Sequence, residues 1–393
     1  MDILFFGGAF DPVHNGHTAI LKRAMEYKKF DKVIVMPTGE PGHKENCKVP
    51  FAIRKYMAKL VFKKISEDID VSAYEGKKLE KSFSYITIDY LRETYPDSKI
   101  YFIIGADSAI NLRTWKNWEY LAQRVVFLVF ARKHGEDKQL ADAVDEIRKI
   151  SPETVVIENE IVPVSSTQIR KMASEGEDIS EFVDKDIAQM IKGNNLYSKD
   201  DYERWISIAG MLIPLMLRSR RAAHSFNVAG LAKELAEIHG VDVNKAVLAA
   251  RLHDIMKQAP SEEVIARSLR VEDEAIINSK PYPVLHGYAA ADFALHDMGI
   301  EDEEILDAMK NHTCGRRGMC DLEKVVYLAD TLSPERDYPE KNRLLEIAKK
   351  DLNLGMERTL TSSVGWLVDR GDKVDPDSLY ALEYFKKLNH GGN

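Results

Sequence analysis

Short apolar runs recur through the first half of the chain, separated by amphipathic stretches. Ile3–Phe6, Lys32–Met36, Lys99–Ile104, Val125–Phe130 and Thr154–Ile157 are brief and almost wholly apolar. That is the pattern of strands buried on both faces rather than on one. Helical periods fall between them, at Ala52–Ile65, Ser84–Thr94 and Asp137–Ile150. Alternation of this kind predicts an α/β Rossmann-like unit, a parallel sheet with helices on both faces. Ligands of such sheets bind beyond the carboxyl ends of the strands, so the loops at that end deserve the closest reading.

The pattern changes near residue 198. Gly193-Asn194-Asn195 ends a helix, and Ser198-Lys199-Asp200-Asp201 is a polar join able to cap the next one. Beyond it no segment alternates as a strand would. Long helical periods run over Ala222–His239, Asn244–Gln258, His286–Met298, Glu301–Asn311 and Leu322–Leu332. Pro214, inside an apolar helical stretch, is expected to break or kink it. The chain therefore reads as multidomain, with an α/β unit over 1–198 and an all-α unit over 204–390. A length of 393 residues suits two cores better than one.

Charge and composition narrow the partners. The net charge is −8. Residues 1–198 carry 29 basic and 30 acidic side chains, and residues 199–393 carry 26 and 33, so the acidic surplus lies in the second half. Neither half has the basic surface of a nucleic-acid binder, and anions must be handled by local sites. No apolar run is long enough to span a bilayer. The opening residues lack the basic region of a signal peptide and read as a strand entering a loop. Three cysteines, Cys47, Cys314 and Cys320, form no CxxC pair and suit a reducing compartment. The expected location is cytoplasmic, with no membrane partner and the oligomeric state open.

The first candidate site follows the first strand: Gly7-Gly8-Ala9-Phe10-Asp11-Pro12-Val13-His14-Asn15-Gly16-His17. Glycines let backbone N–H groups approach an anion, and the helix that opens here adds a partial positive charge. His14 and His17, three apart, share one helix face. Two imidazole donors at a helix start can clamp a phosphate while its charge shifts. The segment resembles the His-x-Gly-His signature of the nucleotidyltransferase superfamily. Further stretches resemble the bacterial nicotinate-mononucleotide adenylyltransferases: Pro41-Gly42-His43-Lys44, Arg54-Lys55-Tyr56-Met57, Gly105-Ala106-Asp107 with Trp115-Lys116-Asn117-Trp118, and Ser165-Ser166-Thr167-Gln168-Ile169-Arg170. Ala9 stands where that family more often has Thr.

The resemblance covers residues 1–198 and implies transfer of AMP from ATP to nicotinate mononucleotide. It implies that His14, His17 and Lys44 act on the ATP phosphates. Gly7, Gly8, Phe10, Arg54, Arg132, Ser166, Thr167 and Arg170 would line the nucleotide, Asp107 would accept from a ribose hydroxyl, and Trp115 would face the nicotinate ring. Mg2+ is expected with ATP, carried by the substrate. Met57 and Trp118 read as core.

The second half holds His224, His253-Asp254, His286, His312 and Asp330. Imidazole and carboxylate without thiolate suit iron or manganese better than structural zinc. His253-Asp254 lies in an apolar helical stretch, where a buried charge needs a partner. His296-Asp297 precedes Met298-Gly299 and reads as a surface helix end; His239, before Gly240, reads the same way. The order His…His-Asp…Asp resembles the HD phosphohydrolase superfamily. Leu285-His286-Gly287, Asn311-His312-Thr313-Cys314-Gly315-Arg316 and the run ending in Asp330, with Pro334-Glu335-Arg336 after it, resemble bacterial HD proteins that split diadenosine tetraphosphate into two ADP. Cys314 stands where Thr is usual there, and Arg317 is less typical.

This resemblance implies two transition-metal ions. His224, His253 and Asp330 would hold one, His286 and His312 the other, and Asp254 would bridge them and act in catalysis. Lys257 and Arg316 would meet substrate phosphates. Two alternatives stand beside it: a nucleotide-sensing module that regulates the first unit, or a phosphohydrolase for another nucleotide.

Overall fold

The structure, a computed structural model, describes residues 1–41, 47–79, 81–132, 138–159 and 164–391. It divides into two compact units, Met1–Lys199 and Asp200–Asn393.

Among the described residues the first unit has eight strands: β1 (Asp2–Gly8), β2 (Lys32–Pro37), β3 (Glu40–Pro41), β4 (Asp70–Val71), β5 (Lys81–Ser82), β6 (Lys99–Gly105), β7 (Val126–Arg132) and β8 (Val155–Asn159). Six form one sheet in the order β4-β2-β1-β6-β7-β8, and every pairing in it is parallel. Ile3, Leu4, Val35, Met36, Phe127, Leu128 and Val129 are fully buried, which is why these strands read as unbroken apolar runs. The order reverses beside β1: β2 and β4 lie on one side, β6 to β8 on the other. The crevice at the carboxyl ends of β1 and β6 is the topological switch point where such sheets bind ligands.

The helix Ser84–Thr94 has the span its periodicity predicts. The helix expected over 52–65 stops at Phe62 and unwinds into turns. Two-residue β4 and the pairing of β3 with β5 were not expected, because a ladder this short leaves no alternation to read.

Among the described residues the second unit has helices and no strand. Its long members are Asp201–Met216, Ser219–His239, Val243–Leu252, Leu285–Met298, Asp321–Thr331, Leu352–Asp369 and Pro376–His390. Asp200, Asp242, Asp302, Asp351 and Asp375 each cap a helix by accepting a backbone N–H, so part of the acidic surplus is structural. Pro214 does not break its helix. It sits in the last turn before Met216, so the one ladder bond it forfeits, to the Gly210 carbonyl, falls near the helix end. The helix expected to reach Gln258 ends at Leu252, and the chain turns at His253-Asp254. Fully buried Ala246, Ala249, Ala250, Ala289, Ala290, Ala291 and Ala294 let neighbouring helices approach closely. No helix of the described residues is long and apolar enough to cross a membrane.

Candidate functional sites

In the first unit, β1 delivers Gly7 and Gly8 to the switch point. A Cβ on Gly7 would come within 3.1 Å of the Phe5 ring and one on Gly8 within 3.0 Å of the Phe10 ring, so either substitution would press on a packed aromatic ring. Phe10 itself lies in the left-handed region at φ 50°. Its ring is buried and packs edge-on to His17, centroids 5.0 Å apart, and to Phe6 and Phe62. Expected to line the nucleotide, Phe10 instead forms the wall behind His17.

His14 caps the helix Asn15–Tyr27 and its ring stacks on His17, centroids 3.7 Å apart. The backbone N–H of His14 donates to His17 Nδ1 over 3.2 Å. That bond assigns the His17 proton to Nε2 and aims its donor away from the helix start. Burial pushes the His14 pKa down to about 4, so its imidazole is neutral at pH 7.

The loop between glycines and histidines is tied by its carbonyls. Arg54 Nη1 donates to Ala9 O (2.7 Å), Arg170 Nη1 to Asp11 O (2.8 Å) and Ser166 Oγ to Pro12 O (3.0 Å). Arg54 also donates to Val49 O (2.9 Å) and Gly39 O (3.3 Å) and is 2% exposed. This corrects the expectation of a substrate contact: the guanidinium is a buried brace joining three segments. Arg170 also reaches Thr167 Oγ1 at 3.2 Å within the helix Ser166–Ser174, while its bond to Asp11 O ties that helix to the first loop.

Asp11 was overlooked. Its buried carboxylate accepts from Tyr197 Oη (2.8 Å) and from the Lys48 N–H (2.7 Å), anchoring the loop to the end of the unit. Its place inside the signature was the only hint. Asp107 lies exposed in the first turn after β6, across the switch point from the glycines, and Trp115 is half-buried against Phe102. Lys44 lies outside the described residues, as does the side chain of Arg132.

In the second unit six side chains far apart in sequence converge. His224, His253, Asp254, His286, His312 and Asp330 are each at most 9% exposed. Three imidazoles carry their proton on Nδ1, donating to the carbonyl three residues back: His253 to Ala250 (2.6 Å), His286 to Pro283 (2.8 Å) and His312 to Met309 (2.7 Å). His224 does the same toward the Glu335 carboxylate. All four Nε2 lone pairs thus face inward. His224 Nε2 is 2.9 Å from Asp330 Oδ1 and 3.6 Å from Asp254 Oδ2. His286 Nε2 is 2.9 Å from Asp254 Oδ1 and 3.0 Å from His312 Nε2.

Lone pairs and carboxylate oxygens pressed together in a dry pocket repel one another unless a proton or a metal cation lies between them. Ligands of one transition ion, bound at about 2.1 Å, sit roughly 3.0–3.4 Å apart, close to these separations. The residues therefore fit a metal centre. Two triads have the required closeness: His224, His253 and Asp330, and His253, Asp254 and His312. The first is the expected set. The second includes His253 where His286 was expected, although His286 remains on Asp254 Oδ1. The two oxygens of Asp254 face different histidines, Oδ2 toward His224 and His253, Oδ1 toward His286 and His312. Burial pushes the pKa of His312 well down, and burial likewise lowers that of Lys257, whose Nζ lies 3.2 Å from the His286 ring.

Arg316 is a correction. Its fork closes on the fully buried Glu323 at 2.7 and 2.8 Å, and Glu323 also accepts from the Cys320 N–H and Asn311 Nδ2. It fastens the His312 turn to the helix Asp321–Thr331, a structural tie that the sequence did not reveal. Four residues assigned no role from the sequence adjoin the cluster: Arg221, which went unnoticed, and Glu335, Arg336 and Gly287, which were noted only as part of the resemblance. Arg221 lies 2.6 Å from Asp254, Arg336 lies 2.9 Å from Asp330, and Glu335 holds His224. At Gly287 a Cβ would meet Met309 O at 2.7 Å and His312 Cε1 at 3.3 Å. His296 pairs with Asp292 and Asp297 with Arg267, away from the cluster, and His239 Nε2 meets Ala348 O.

Comparison with known proteins follows the same division. A cytidylyltransferase-like family model matches residues 5–172, and an HD domain model matches residues 221–335. A Mycoplasma genitalium protein named "Probable nicotinate-nucleotide adenylyltransferase/Ap4A hydrolase" is 29% identical over 89% of this chain and 94% of its own length. A Clostridium tetani protein named "Probable nicotinate-nucleotide adenylyltransferase" is 34% identical over 49% of this chain and 96% of its own. A solved structure from Clostridium acetobutylicum, described as a "predicted HD superfamily hydrolase involved in NAD metabolism", is 30% identical with a TM-score of 0.43, covering 46% of this chain and 96% of that one.

Proposed function

We propose that this chain, which belongs to the nicotinate-nucleotide adenylyltransferase family and carries an HD domain in its second half, catalyses two reactions on adenine nucleotides. In the first, a phosphate oxygen of nicotinate mononucleotide attacks the α-phosphorus of ATP in line. The bond from that phosphorus to the bridging oxygen breaks, and pyrophosphate leaves. No enzyme nucleophile is required; catalysis is positioning and charge stabilisation. The observation that carries this reading is the stacked His14–His17 pair at a helix start beside the β1/β6 switch point. His17 donates from Nε2 to the phosphates, and neutral His14 donates without adding charge. Thr167 and Arg170 approach from the second loop, Lys44 adds a mobile charge, and Mg2+ arrives with ATP. Asp107 takes a ribose hydroxyl and Trp115 the nicotinate ring.

In the second reaction, water splits diadenosine tetraphosphate into two ADP. The carrying observation is the inward set of four Nε2 atoms with Asp254 presenting one oxygen to each side. Two divalent ions bound there, iron or manganese, would activate the water and steady the leaving oxygen. His224, His253 and Asp330 would hold one, His286 and His312 the other, with Asp254 between. The protein fixes each imidazole through its Nδ1 hydrogen bond, excludes bulk water, and keeps Lys257 beside His286 for a phosphate.

Purified protein, supplied with Mg2+ for the first assay and reconstituted with Fe2+ or Mn2+ for the second, tests both by chromatography of the nucleotides. Equal rates with nicotinate and nicotinamide mononucleotides would refute the first substrate. Intact diadenosine tetraphosphate alongside consumption of another nucleotide would refute the second.

A further inference from the structure

We infer that Arg221 and Arg336 form a guanidinium pair that grips the phosphates flanking the scissile bond, restricting the HD site to nucleotides with at least two contiguous phosphates. The inference rests on the metal-phosphohydrolase reading above and adds the substrate class. Arg221 stands three residues before His224 on the helix Ser219–His239, so both project from one face. Its Nη1 lies 2.6 Å from Asp254 Oδ2. Arg336 follows the turn carrying Glu335, and its Nη2 lies 2.9 Å from Asp330 Oδ1. These two oxygens are the ones turned toward His224 Nε2, at 3.6 and 2.9 Å. Both guanidiniums therefore abut the same side of the cluster.

That side faces solvent. The six cluster residues are nearly sealed, whereas the side chains of Arg221 and Arg336 are 32% and 44% exposed. A guanidinium has five N–H donors in a planar fork, and each of these gives one to a cluster carboxylate. The remaining fork geometry matches phosphate oxygens, which a point charge such as Lys257 does not. Arg316 shows the contrast: its fork is closed on Glu323, a carboxylate outside the cluster. A polyphosphate with its reacting group at the centre would bring a neighbouring phosphate against these two cations. A monophosphate, with its single group at the centre, offers them nothing to hold.

The test uses the full chain loaded with Mn2+, as Arg221→Gln, Arg336→Gln and the double variant. Metal content, affinity for ADP and for AMP, and the split of kcat and KM on diadenosine tetraphosphate are measured. The expected result is unchanged Mn2+ content, ADP affinity about tenfold weaker in each single variant and weaker again in the double, AMP affinity little changed, and Arg336→Lys recovering only part of the loss. Variants that keep their metal and bind ADP within twofold of the parent overturn the inference alone. Variants that lose metal while ADP and AMP weaken together make both residues struts for Asp254 and Asp330, and overturn it too. A parent chain that takes up no Mn2+ overturns the reading beneath it as well.

Discussion

The two sites are assembled in opposite ways. His14 and His17 stand on one helix start, and their loop is contiguous with the strand that places it. The His/Asp cluster draws on the helix Ser219–His239, the turn after Leu252, the helix Leu285–Met298, the turn after Asn311 and the helix Asp321–Thr331. The first site depends on local backbone form. The second depends on how closely several helices pack, and each ligand inherits any error in that packing. The histidine pair should therefore lose function chiefly through its own side chains and the few braces on its loop, such as Arg54, while the assembled site should fail through packing at many positions that touch no substrate.

The sharpest test separates the sites outright. His17→Ala should lower adenylyl transfer by roughly 10²–10³-fold or more, the scale of a lost transition-state donor, and leave hydrolysis of diadenosine tetraphosphate intact. Asp254→Ala should abolish hydrolysis and spare transfer. Parallel assays of both activities on each variant check this, and one substitution that removes both would end the claim of independent sites.

The same contrast governs what could be read from the chain. The parallel strands were legible because burial on both faces leaves nothing polar in them, and the histidine pair because its three-residue spacing is a local fact. The six cluster residues could be named from their resemblance to a family, but their geometry could not. That the helix ends at Leu252 and leaves His253-Asp254 in a turn, for instance, is signalled by no glycine or proline nearby. Arg54 and Arg316 misled for one reason: a sequence displays a charge and conceals its partner. The carbonyls of Ala9, Val49 and Gly39 come from separate segments, and Glu323 lies on a different helix from the turn it fastens.

A pH experiment probes the local site. The folded-state pKa of His14, about 4, lies below its ordinary 6.5 because burial disfavours the charged ring. As pH falls below 6.5 the unfolded chain takes up the proton first, so stability is intact above that value and drains away toward pH 4. The loss amounts to about 3 kcal/mol at most. Hydrogen exchange of the β1 amides between pH 7 and 4 should show this slope, and His14→Gln should flatten it. An unchanged slope would mean the ring is protonated with little penalty.

Gly287→Ala probes the assembled site without replacing a ligand. The added methyl must displace the Met309 carbonyl and press on His312, costing about 2 kcal/mol by overpacking and moving His312 relative to His286. Thermal melting and metal content should fall together while adenylyl transfer persists. Full metal content in this variant would show the helices yielding without disturbing the ligands.

The smallest expected effect comes from Glu335. Its carboxylate receives the His224 Nδ1 proton and is itself held by Asn227 Nδ2 at 2.9 Å and Ser333 Oγ at 2.9 Å. Burial works to raise its pKa, but the His224 hydrogen bond outweighs it and holds the value at about 2, so the group is ionised throughout the working range. A charged acceptor fixes the ring's tautomer and makes Nε2 a better donor to a cation. Glu335→Gln keeps the shape and one acceptor but removes the charge. Metal affinity, measured by chelator competition, should weaken about tenfold, with the melting temperature nearly unchanged. Glu335→Ala should weaken it further and loosen the ring. If Gln binds metal as tightly as Glu while Ala does not, the contribution is orientation alone, and the charge on Glu335 serves only to keep the proton where the backbone carbonyls keep it for the other three histidines.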